Sequence, residues 1–421
     1  MRTGPTSPSA AGLLTPDGWL LFATRGTRLF AYGLLSVILV LYLSETGLTD
    51  AEIGLLLTLT LLGDTALSLW ITTAADRLGR RRMLILGALL MFLAGLLFAT
   101  SRNFAVLLVA ATLGVISPSG NEVGPFLSIE QAALSQIVPG QLRTRVFAWY
   151  NLLGSFATAL GALCGGMGAQ WLHEAGYRGA DTYRPLVIIY GGIGLLLAGG
   201  FAWASRAVEI TPRSGGAAGL PPAKLWLGLH RSRNVVLRLA GLFALDAFGG
   251  GFVIQSIIAY WLHRKFGLEP GMLGGIFLGA NLLAGASALA AGWLAERFGL
   301  INTMVFTHLP SNILLMLVPL APTPSLAVAL LLLRFSISQM DVPTRQSYTM
   351  AVVCPDERSA AAGVTAVARS IGASVSPMIA AALVGTSSLA GVPFFLAGGI
   401  KVLYDLLLYR SFIALPPDEQ R

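Results

Sequence analysis

Several carboxylate residues lie inside apolar stretches of the chain, where a charged side chain is costly and usually faces a cavity or a partner, and three of them are the strongest candidates for chemistry. Asp64 lies eleven residues from both Ile53 and Ala75, and no other charge occurs between them. Glu122 and Asp341 lie in segments interrupted by proline, which frees backbone carbonyls that can line a binding site. A carboxylate held between apolar surroundings and a nearby arginine can exchange a proton near neutral pH. We therefore predict proton binding at these three carboxylates.

Basic side chains occur in the same kind of apolar segment. Arg25 and Arg28 lie in the first such segment, and Arg334 and Arg345 flank Asp341 in a later one. This mixture of charges favours an anionic or zwitterionic substrate over a purely lipophilic cation. The residues predicted to line the substrate and proton pathway are Arg25, Arg28, Tyr32, Asp64, Asn121, Glu122, Asp246, Gln255, Arg334, Gln339, Asp341, Arg345 and Arg369.

Several of these charges have simpler explanations. Arg25 and Arg28 lie within about 15 Å of the end of their helix, so their side chains could extend to the membrane interface. Lys401 and Asp405 are four residues apart and could pair on one helical face. Water could solvate Glu130 near the end of its segment, and Asp64 could form an ion pair with Arg28 or Arg369.

The composition shows which surroundings the chain requires. Hydrophobic residues make up 55% of the 421-residue sequence and charged residues only 11%, with a mean hydropathy of +0.73. A soluble protein carries roughly 25% charged residues. Soluble cores cannot bury this much apolar sequence, so lipid must cover it. These values exclude a disordered chain and an ordinary soluble protein.

Twelve apolar stretches are long enough to span a membrane, which takes about 20 helical residues. Basic residues cluster in the loops on the side of the N-terminus, which predicts cytoplasmic termini and a multi-pass plasma-membrane protein. This pattern accounts for most of the net charge of +8, so we expect no nucleic-acid partner. The predicted spans are 18–43, 51–75, 83–101, 104–136, 144–170, 184–205, 234–263, 271–295, 301–320, 324–353, 358–386 and 392–413.

A linker rich in glycine, proline and alanine divides the spans into six and six. The predicted organisation is a cytoplasmic tail at 1–17, a six-helix bundle at 18–205, the linker at 206–233, a second bundle at 234–413 and a tail at 414–421.

The two halves carry an internal repeat. At a shift of 219 positions, the acidic residue Glu122 falls on Asp341. Parallel repeats of this kind occur in transporters whose substrate site lies at the midplane between the halves. A shift of 220 positions gives three further matches: Gly47-Leu48 on Gly267-Leu268, Gly54 on Gly274, and ADRLG at 75–79 on AERFG at 295–299.

The segment 72–82, TTAADRLGRRR, and its repeat at 292–299, GWLAERFG, resemble the signature loop of the major facilitator superfamily. That signature reads Gly-x-x-x-Asp-Arg-x-Gly-Arg-Arg between helices 2 and 3. Thr72 replaces its first glycine, whereas the second copy keeps the glycine as Gly292 and has Glu296 for the aspartate. The resemblance implies an all-α membrane protein with 12 transmembrane helices in two pseudo-symmetric six-helix bundles. It also implies that helices 1, 4, 7 and 10 line the central cavity.

By the same resemblance, the charges of the two signature loops hold the halves together on the cytoplasmic side and separate when the protein opens inward. Asp76 ends helix 2, where the helix dipole disfavours an anion, so it needs a compensating arginine. Helix 5 partly resembles the antiporter signature of the superfamily, with Gly166 where that signature has proline. The predicted gate residues are Asp76, Arg77, Gly79, Arg80, Glu296, Arg297 and Gly299.

We therefore predict a secondary active transporter that moves a small organic solute by alternating access, with proton-coupled efflux favoured. The same residues also fit a broad-specificity multidrug and proton antiporter, or a proton-coupled or facilitative importer. An enzyme is not expected, because the four histidines are scattered, and neither tails nor linker are long enough for the signalling domain of a receptor.

Energy is expected from the proton gradient, without a cofactor or metal, because no P-loop motif is present to bind ATP. The predicted partners are the small-molecule substrate and the lipid bilayer, and the protein is expected to function as a monomer.

Overall fold

The computed structural model describes residues 14–120, 126–138, 143–205, 208–209, 229, 231–354 and 357–412, without the side chains at 73, 74, 76, 77, 143–145 and 359. Helices dominate this part of the chain, as predicted. In chain order they are α1 (Pro16–Glu45), α2 (Asp50–Leu78), α3 (Arg80–Thr100), α4 (Phe104–Leu113), α5 (Phe126–Ile137), α6 (Arg143–Glu174), α7 (Arg184–Trp203), α8 (Arg233–Gly251), α9 (Gln255–Phe266), α10 (Pro270–Phe298), α11 (Leu300–Leu317), α12 (Pro324–Phe335), α13 (Asp341–Ala351), α14 (Arg358–Gly385) and α15 (Val392–Phe412).

The described helices account for the predicted number of spans. Ten stretches are long and apolar enough to cross a membrane, and the shorter apolar helices α4 and α12 are continued by α5 and α13. An even number of crossings places Pro16 and Phe412 on one face of the protein, which we call the terminal face. The other face is called the opposite face below.

The internal repeat also governs backbone geometry. The helices α2 and α10 begin and end 220 residues apart. A glycine with positive φ precedes each helix: Gly47 (φ 90°) before α2 and Gly267 (φ 66°) before α10. A second such glycine follows each helix: Gly79 (φ 100°) after α2 and Gly299 (φ 85°) after α10. Side chains with a Cβ rarely adopt this conformation, so the glycines permit the sharp turns between consecutive spans.

Three spans are interrupted within their length. The described residues 114–120 after α4 are not helical, and residues 336–340 separate α12 from α13. The first interruption contains Pro118, whereas Pro343 lies just after the second one, in the first turn of α13. The seventh span, predicted as one helix over 234–263, is also broken, at 252–254. The three consecutive glycines at 249–251 explain this break, because glycine is among the poorest helix formers.

The two bundles meet where α2 packs on α14 and α6 packs on α10. Small residues allow close approach at the opposite face: Gly54 lies against α14, and a Cβ added at Gly166 would stand 2.2 Å from the carbonyl oxygen of Pro270. Toward the terminal face, a cavity between α1, α6 and α10 takes the place of such contacts, and its wall includes Trp19, Trp149 and Leu289. The described bundles are therefore in contact at the opposite face and separate toward the terminal face.

Candidate functional site

A buried ion pair lies inside the first bundle. Arg28 of α1 donates to both carboxylate oxygens of Glu130 of α5, at 2.7 and 2.8 Å, and both side chains are fully buried. Tyr150 of α6 donates a further hydrogen bond to Glu130, and the Arg28 guanidinium lies 4.4 Å from the ring centroid of Phe126. Two parallel hydrogen bonds are a strong arrangement for arginine and carboxylate. The pair fixes α1 to the second half of the fourth span.

This geometry corrects two of the simpler explanations. Solvation of Glu130 is wrong, because that side chain has no exposed surface and binds Arg28. Extension of Arg28 and Arg25 to the interface is wrong too, because both side chains turn inward. The Arg25 guanidinium lies 4.2 Å from the ring centroid of Tyr150, and its Nη2 donates to Oδ1 of Asn151 at 3.3 Å. Both guanidinium groups therefore contact neighbouring helices instead of the membrane interface.

A larger charge network lies inside the second bundle. Asp246 of α8 accepts hydrogen bonds from Lys401 of α15 at 2.6 Å and from Arg345 of α13 at 3.2 Å. Arg345 also donates to Asp341, one turn earlier on α13, at 2.8 Å. All four side chains are buried, and their opposite charges offset the cost of removing each from water. The structure thus brings three predicted pathway residues together and adds Lys401 to them.

Lys401 and Asp405 do not pair with each other, contrary to the simpler explanation of their spacing. Lys401 binds Asp246, whereas Asp405 contacts His308 Nδ1 at 2.8 Å and accepts a hydrogen bond from Asn312 Nδ2 at 3.1 Å. The two residues reach different neighbours because α15 packs against both α8 and α11. Sequence reasoning missed His308 and Asp405 as site residues. Their only local signal was an ionisable group within an apolar segment.

Two more arginines face this network. The Nε atoms of Arg334 and Arg369 are buried and have no hydrogen-bond partner among the described residues. The Arg334 guanidinium lies 4.9 Å from the ring centroid of Phe335. Both arginines are within electrostatic range of Asp246 and Asp341. Both residues are half-buried, and a buried polar atom without a hydrogen-bond partner is costly. Ionisable residues within membrane spans commonly mark a substrate or ion pathway.

Gln255 and its neighbour Ser256 join the two bundles. Gln255 Nε2 donates to Ser36 Oγ at 2.7 Å, and Ser256 donates to the Pro118 carbonyl from its backbone nitrogen at 3.1 Å and its hydroxyl at 2.6 Å. Asn281 of α10 donates to Gln255 Oε1 at 3.3 Å. Pro118 belongs to the non-helical part of the fourth span. The Pro118 carbonyl of the first bundle therefore accepts hydrogen bonds from Ser256 of the second bundle, just after the break in the seventh span.

The other predicted pathway residues lie on α1, α2 and the interrupted spans. Tyr32 is fully buried on α1, and Asp64 is half-buried on α2, within electrostatic range of α7. Gln339 is half-buried in the break of the tenth span, where its backbone nitrogen donates to α10 at 3.2 Å. Asn121 and Glu122 lie outside the described residues, so the role of Glu122 stays a prediction.

The first signature loop is held within its own bundle. Gly79 joins α2 directly to α3. Glu209 accepts hydrogen bonds from the backbone nitrogens of Arg80 and Arg81, at 2.8 and 3.2 Å, where the helix dipole of α3 favours an anion. The side chain of Arg80 donates to Gln136 of α5 at 2.6 Å.

The second signature loop is open to solvent. Glu296, Arg297 and Gly299 are exposed at the terminal face, which agrees with the separation of the bundles there. Arg297 lies 5.9 Å from the ring centroid of Trp293, four residues earlier on α10. The remaining two predicted gate residues are Asp76 and Arg77, whose side chains lie outside the described part of the chain.

An apolar cavity of about 750 Å³ opens between α1, α6 and α10, where the bundles separate. Its wall includes Trp19, Phe22, Trp149 and Phe156, with Asn281 as a polar group. Pockets for small molecules measure roughly 300–1,000 Å³. The cavity is therefore large enough for an organic solute or the apolar part of one.

Comparison with known proteins gives three relevant similarities. An uncharacterized membrane protein of Saccharomyces cerevisiae is 29% identical over 421 residues, with 94% of each chain covered. The quinolone resistance protein NorA of Staphylococcus aureus is 26% identical over 157 residues, which are 37% of this chain and 39% of NorA. The fold matches the inward-facing, occupied crystal structure of a bacterial homolog of the human lysosomal transporter Spinster, with a TM-score of 0.72, 15% identity and coverage of 97% and 98%.

The sequence profile of the Major Facilitator Superfamily matches residues 21–377 and 247–420. This match covers nearly all of the helical chain, and it agrees with the signature loops, the helix count and the duplicated bundles. The chain therefore belongs to the major facilitator superfamily, and it is a multi-pass membrane transporter rather than an enzyme.

Proposed function

We propose that this transporter moves a small organic anion or zwitterion across the plasma membrane, and that it exports a zwitterion in exchange for protons. The observation that carries the proposal is the pair of buried Nε atoms of Arg334 and Arg369, which have no hydrogen-bond partner among the described residues. Basic groups also outnumber acidic ones around them, so a bound anion supplies the missing charge. The basic groups are Arg334, Arg345, Arg369 and Lys401, and the acidic groups are Asp246, Asp341 and Asp405.

Alternating access follows from the way the bundles meet. With the termini in the cytoplasm, as the basic loops predict, separation at the terminal face opens the site inward. At the opposite face, Asp50 of α2 accepts hydrogen bonds from Tyr260 and Arg264 of α9, at 2.8 and 3.2 Å, which closes the route outward. Transport then requires these contacts to break while the signature loops come together.

The direction of coupling depends on charge. Exchange requires that the substrate and the proton compete for binding. A zwitterion can compete with a proton, because a protonated site repels its ammonium group while its carboxylate binds arginine. A purely anionic solute strengthens proton binding instead, which favours movement of both in the same direction. If the solute carries no positive charge, we therefore expect import together with protons.

Flux into liposomes tests the substrate class. Purified protein is reconstituted and offered radiolabelled carboxylates, amino acids and organic cations, with a pH gradient of either sign. We expect anions or zwitterions to be accepted, with transport in R334Q and R369Q reduced about 10- to 100-fold, because hydrogen bonds to charged groups contribute about 1.5–3 kcal/mol.

The matched control is R410Q, which removes an exposed arginine near the end of α15 and should leave flux unchanged. Transport of cations alone, with equal rates in R334Q, R369Q and R410Q, would contradict the proposed substrate class. The sign of the pH gradient that drives accumulation distinguishes exchange from import with protons.

A multidrug exporter is the second candidate, and the apolar cavity between α1, α6 and α10 favours it. NorA, whose name records quinolone resistance, is similar over 157 residues. This candidate predicts efflux of ethidium, a lipophilic cation, with a loss in F156A and no loss in R334Q. The proposed anion or zwitterion transporter predicts the reverse order of sensitivity.

A further inference from the structure

We infer that His308 and Asp405, together with Asp246, form the proton-binding site of this transporter, an inference that rests on the proton coupling proposed above. The Nδ1 atom of His308 lies 2.8 Å from Oδ1 of Asp405, and its Nε2 atom lies 3.8 Å from Oδ1 of Asp246. His308 is 5% exposed and Asp405 is not exposed at all. These residues lie on α11, α15 and α8, and only α8 belongs to a span that the family resemblance places at the cavity.

The charge of Asp405 is the first reason. Asp246 binds both Lys401 and Arg345, and Asp341 binds Arg345, so each of these carboxylates has a basic partner within hydrogen-bond distance. Within the described chain, Asp405 contacts no lysine or arginine, and its partners are His308 and Asn312. A buried carboxylate without a lysine or arginine in contact depends on the neighbouring imidazole for compensation of its charge. A single added proton neutralises the Asp405–His308 pair, whichever of the two groups carries it.

The position of the imidazole is the second reason. A neutral histidine donates from one ring nitrogen only, whereas the protonated ring donates from both. Its two nitrogens face two different carboxylates, so the protonated ring donates to Asp405 at 2.8 Å and attracts Asp246 electrostatically from 3.8 Å. Near this pair, Oδ1 of Asn312 is buried without a hydrogen-bond partner in the described structure.

The groups around the pair connect it to the substrate arginines. Protonated His308 competes with Lys401 and Arg345 for Asp246, and Arg345 in turn binds Asp341. When the interaction between Asp246 and Arg345 weakens, the charge near a bound solute changes. Such a change is the physical basis of coupling between two sites. The charged and titratable groups facing the pair from the surrounding helices are Asp246 on α8, Asp341 and Arg345 on α13, Arg369 on α14, and Lys401 and Tyr404 on α15.

Infrared titration of the purified full-length protein in nanodiscs tests proton binding directly. The probe is the proton, and the readout is the carbonyl stretch of protonated carboxyl groups together with the ring bands of protonated imidazole as pH is varied. We expect a buried titration in one of these two signals of the wild type that D405N and H308Q each shift or abolish, because each variant removes one member of the pair.

D181N is the matched control, because Asp181 is a carboxylate with half of its side chain exposed. If either single variant does not fold, the double variant H308Q/D405N keeps the hydrogen bond between two amides and removes both titrating groups. An infrared titration identical to the wild type in these variants would overturn the assignment.

Coupling is tested with the solute that the liposome panel identifies. H308Q should reduce accumulation driven by a pH gradient about tenfold or more, and should reduce exchange of solute for solute without a gradient by a smaller factor. A merely structural histidine would reduce both activities by the same factor. Unchanged pH-driven accumulation in H308Q would overturn the coupling role. Wild-type protein that titrates in the infrared but shows no pH-driven transport would instead contradict the proposed function and leave the proton site intact.

Discussion

Arg28 and Glu130 show what a fully buried charge requires of its neighbours. Neither side chain has any exposed surface, so each depends on the other for compensation. Breaking such a pair leaves one unpaired ion in a medium of low dielectric, whereas replacing both partners by apolar groups removes the problem. The stability of the first bundle is thus sensitive to either residue alone and much less sensitive to the two together.

We expect E130Q to lower the free energy of unfolding by about 3–5 kcal/mol, because Arg28 then stays buried without a counter-ion. The double variant R28L/E130L should recover most of this loss. Unfolding of the purified protein in mixed micelles measures both values. D181N serves as control and should change little, because its ion pairs with Arg102 and Arg184 are exposed. Equal losses in the single and double variants would contradict the explanation.

Gly166 shows how two helices from different bundles come into contact. It lies where α6 crosses α10, at the position where the antiporter signature of the superfamily has proline. The Cα and nitrogen of Gly274 stand 2.7 Å from an added Cβ, and both atoms belong to the backbone, which cannot rotate away. Small residues at such crossings allow helices to pack closely in a membrane. Closure at the opposite face therefore depends on the absence of a side chain here.

We expect G166A to push α6 from α10 and to favour opening at the opposite face. Spin labels at Ala175 and Ser387, exposed on that face in different bundles, report the change as a longer distance in electron-paramagnetic-resonance experiments. G275A is the matched control, because an added Cβ at Gly275 of α10 meets no described atom within 4 Å. A distance distribution unchanged by G166A, or changed equally by G275A, would show that this crossing does not control closure.

At the scale of the whole molecule, closure at the opposite face combines backbone packing with a polar contact. Asp50 accepts hydrogen bonds from Tyr260 and Arg264, and Arg264 also donates to the carbonyl of Gly385 at 3.2 Å. These groups border a cavity of about 360 Å³ that opens between the bundles. Partly exposed contacts of this kind are weak, so they can break during transport.

We expect D50N to shift the population toward opening at the opposite face by about three- to tenfold, because the charged acceptor for two donors is lost. The same spin labels measure the shift. K265Q is the control, since Lys265 donates to the Pro319 carbonyl within its own bundle, at the same face. If D50N and K265Q give the wild-type distance distribution, this contact does not hold the bundles closed.

The sequence by itself determined the features that depend on local composition and on repetition. Hydropathy and length set the number of spans, the shift of 220 positions predicted the duplicated bundles, and the signature loops identified the family. Prolines indicated weakened helices in the fourth and tenth spans, although Pro343 lies just after the break of the tenth, and the glycines at 249–251 could have predicted the third break. All these signals act over a few residues or a regular period, so no knowledge of packing is needed.

Only the tertiary structure decided which charges meet. The spacing of Lys401 and Asp405 suggested a pair on one helix. Because α15 packs between α8 and α11, Lys401 instead binds Asp246, and Asp405 contacts His308. Arg28 and Glu130 are 102 positions apart in the sequence, and nothing local links them. A buried charge pairs with an opposite charge that lies on a neighbouring helix. The sequence of a single span determines that it forms a helix, but not which helices pack beside it.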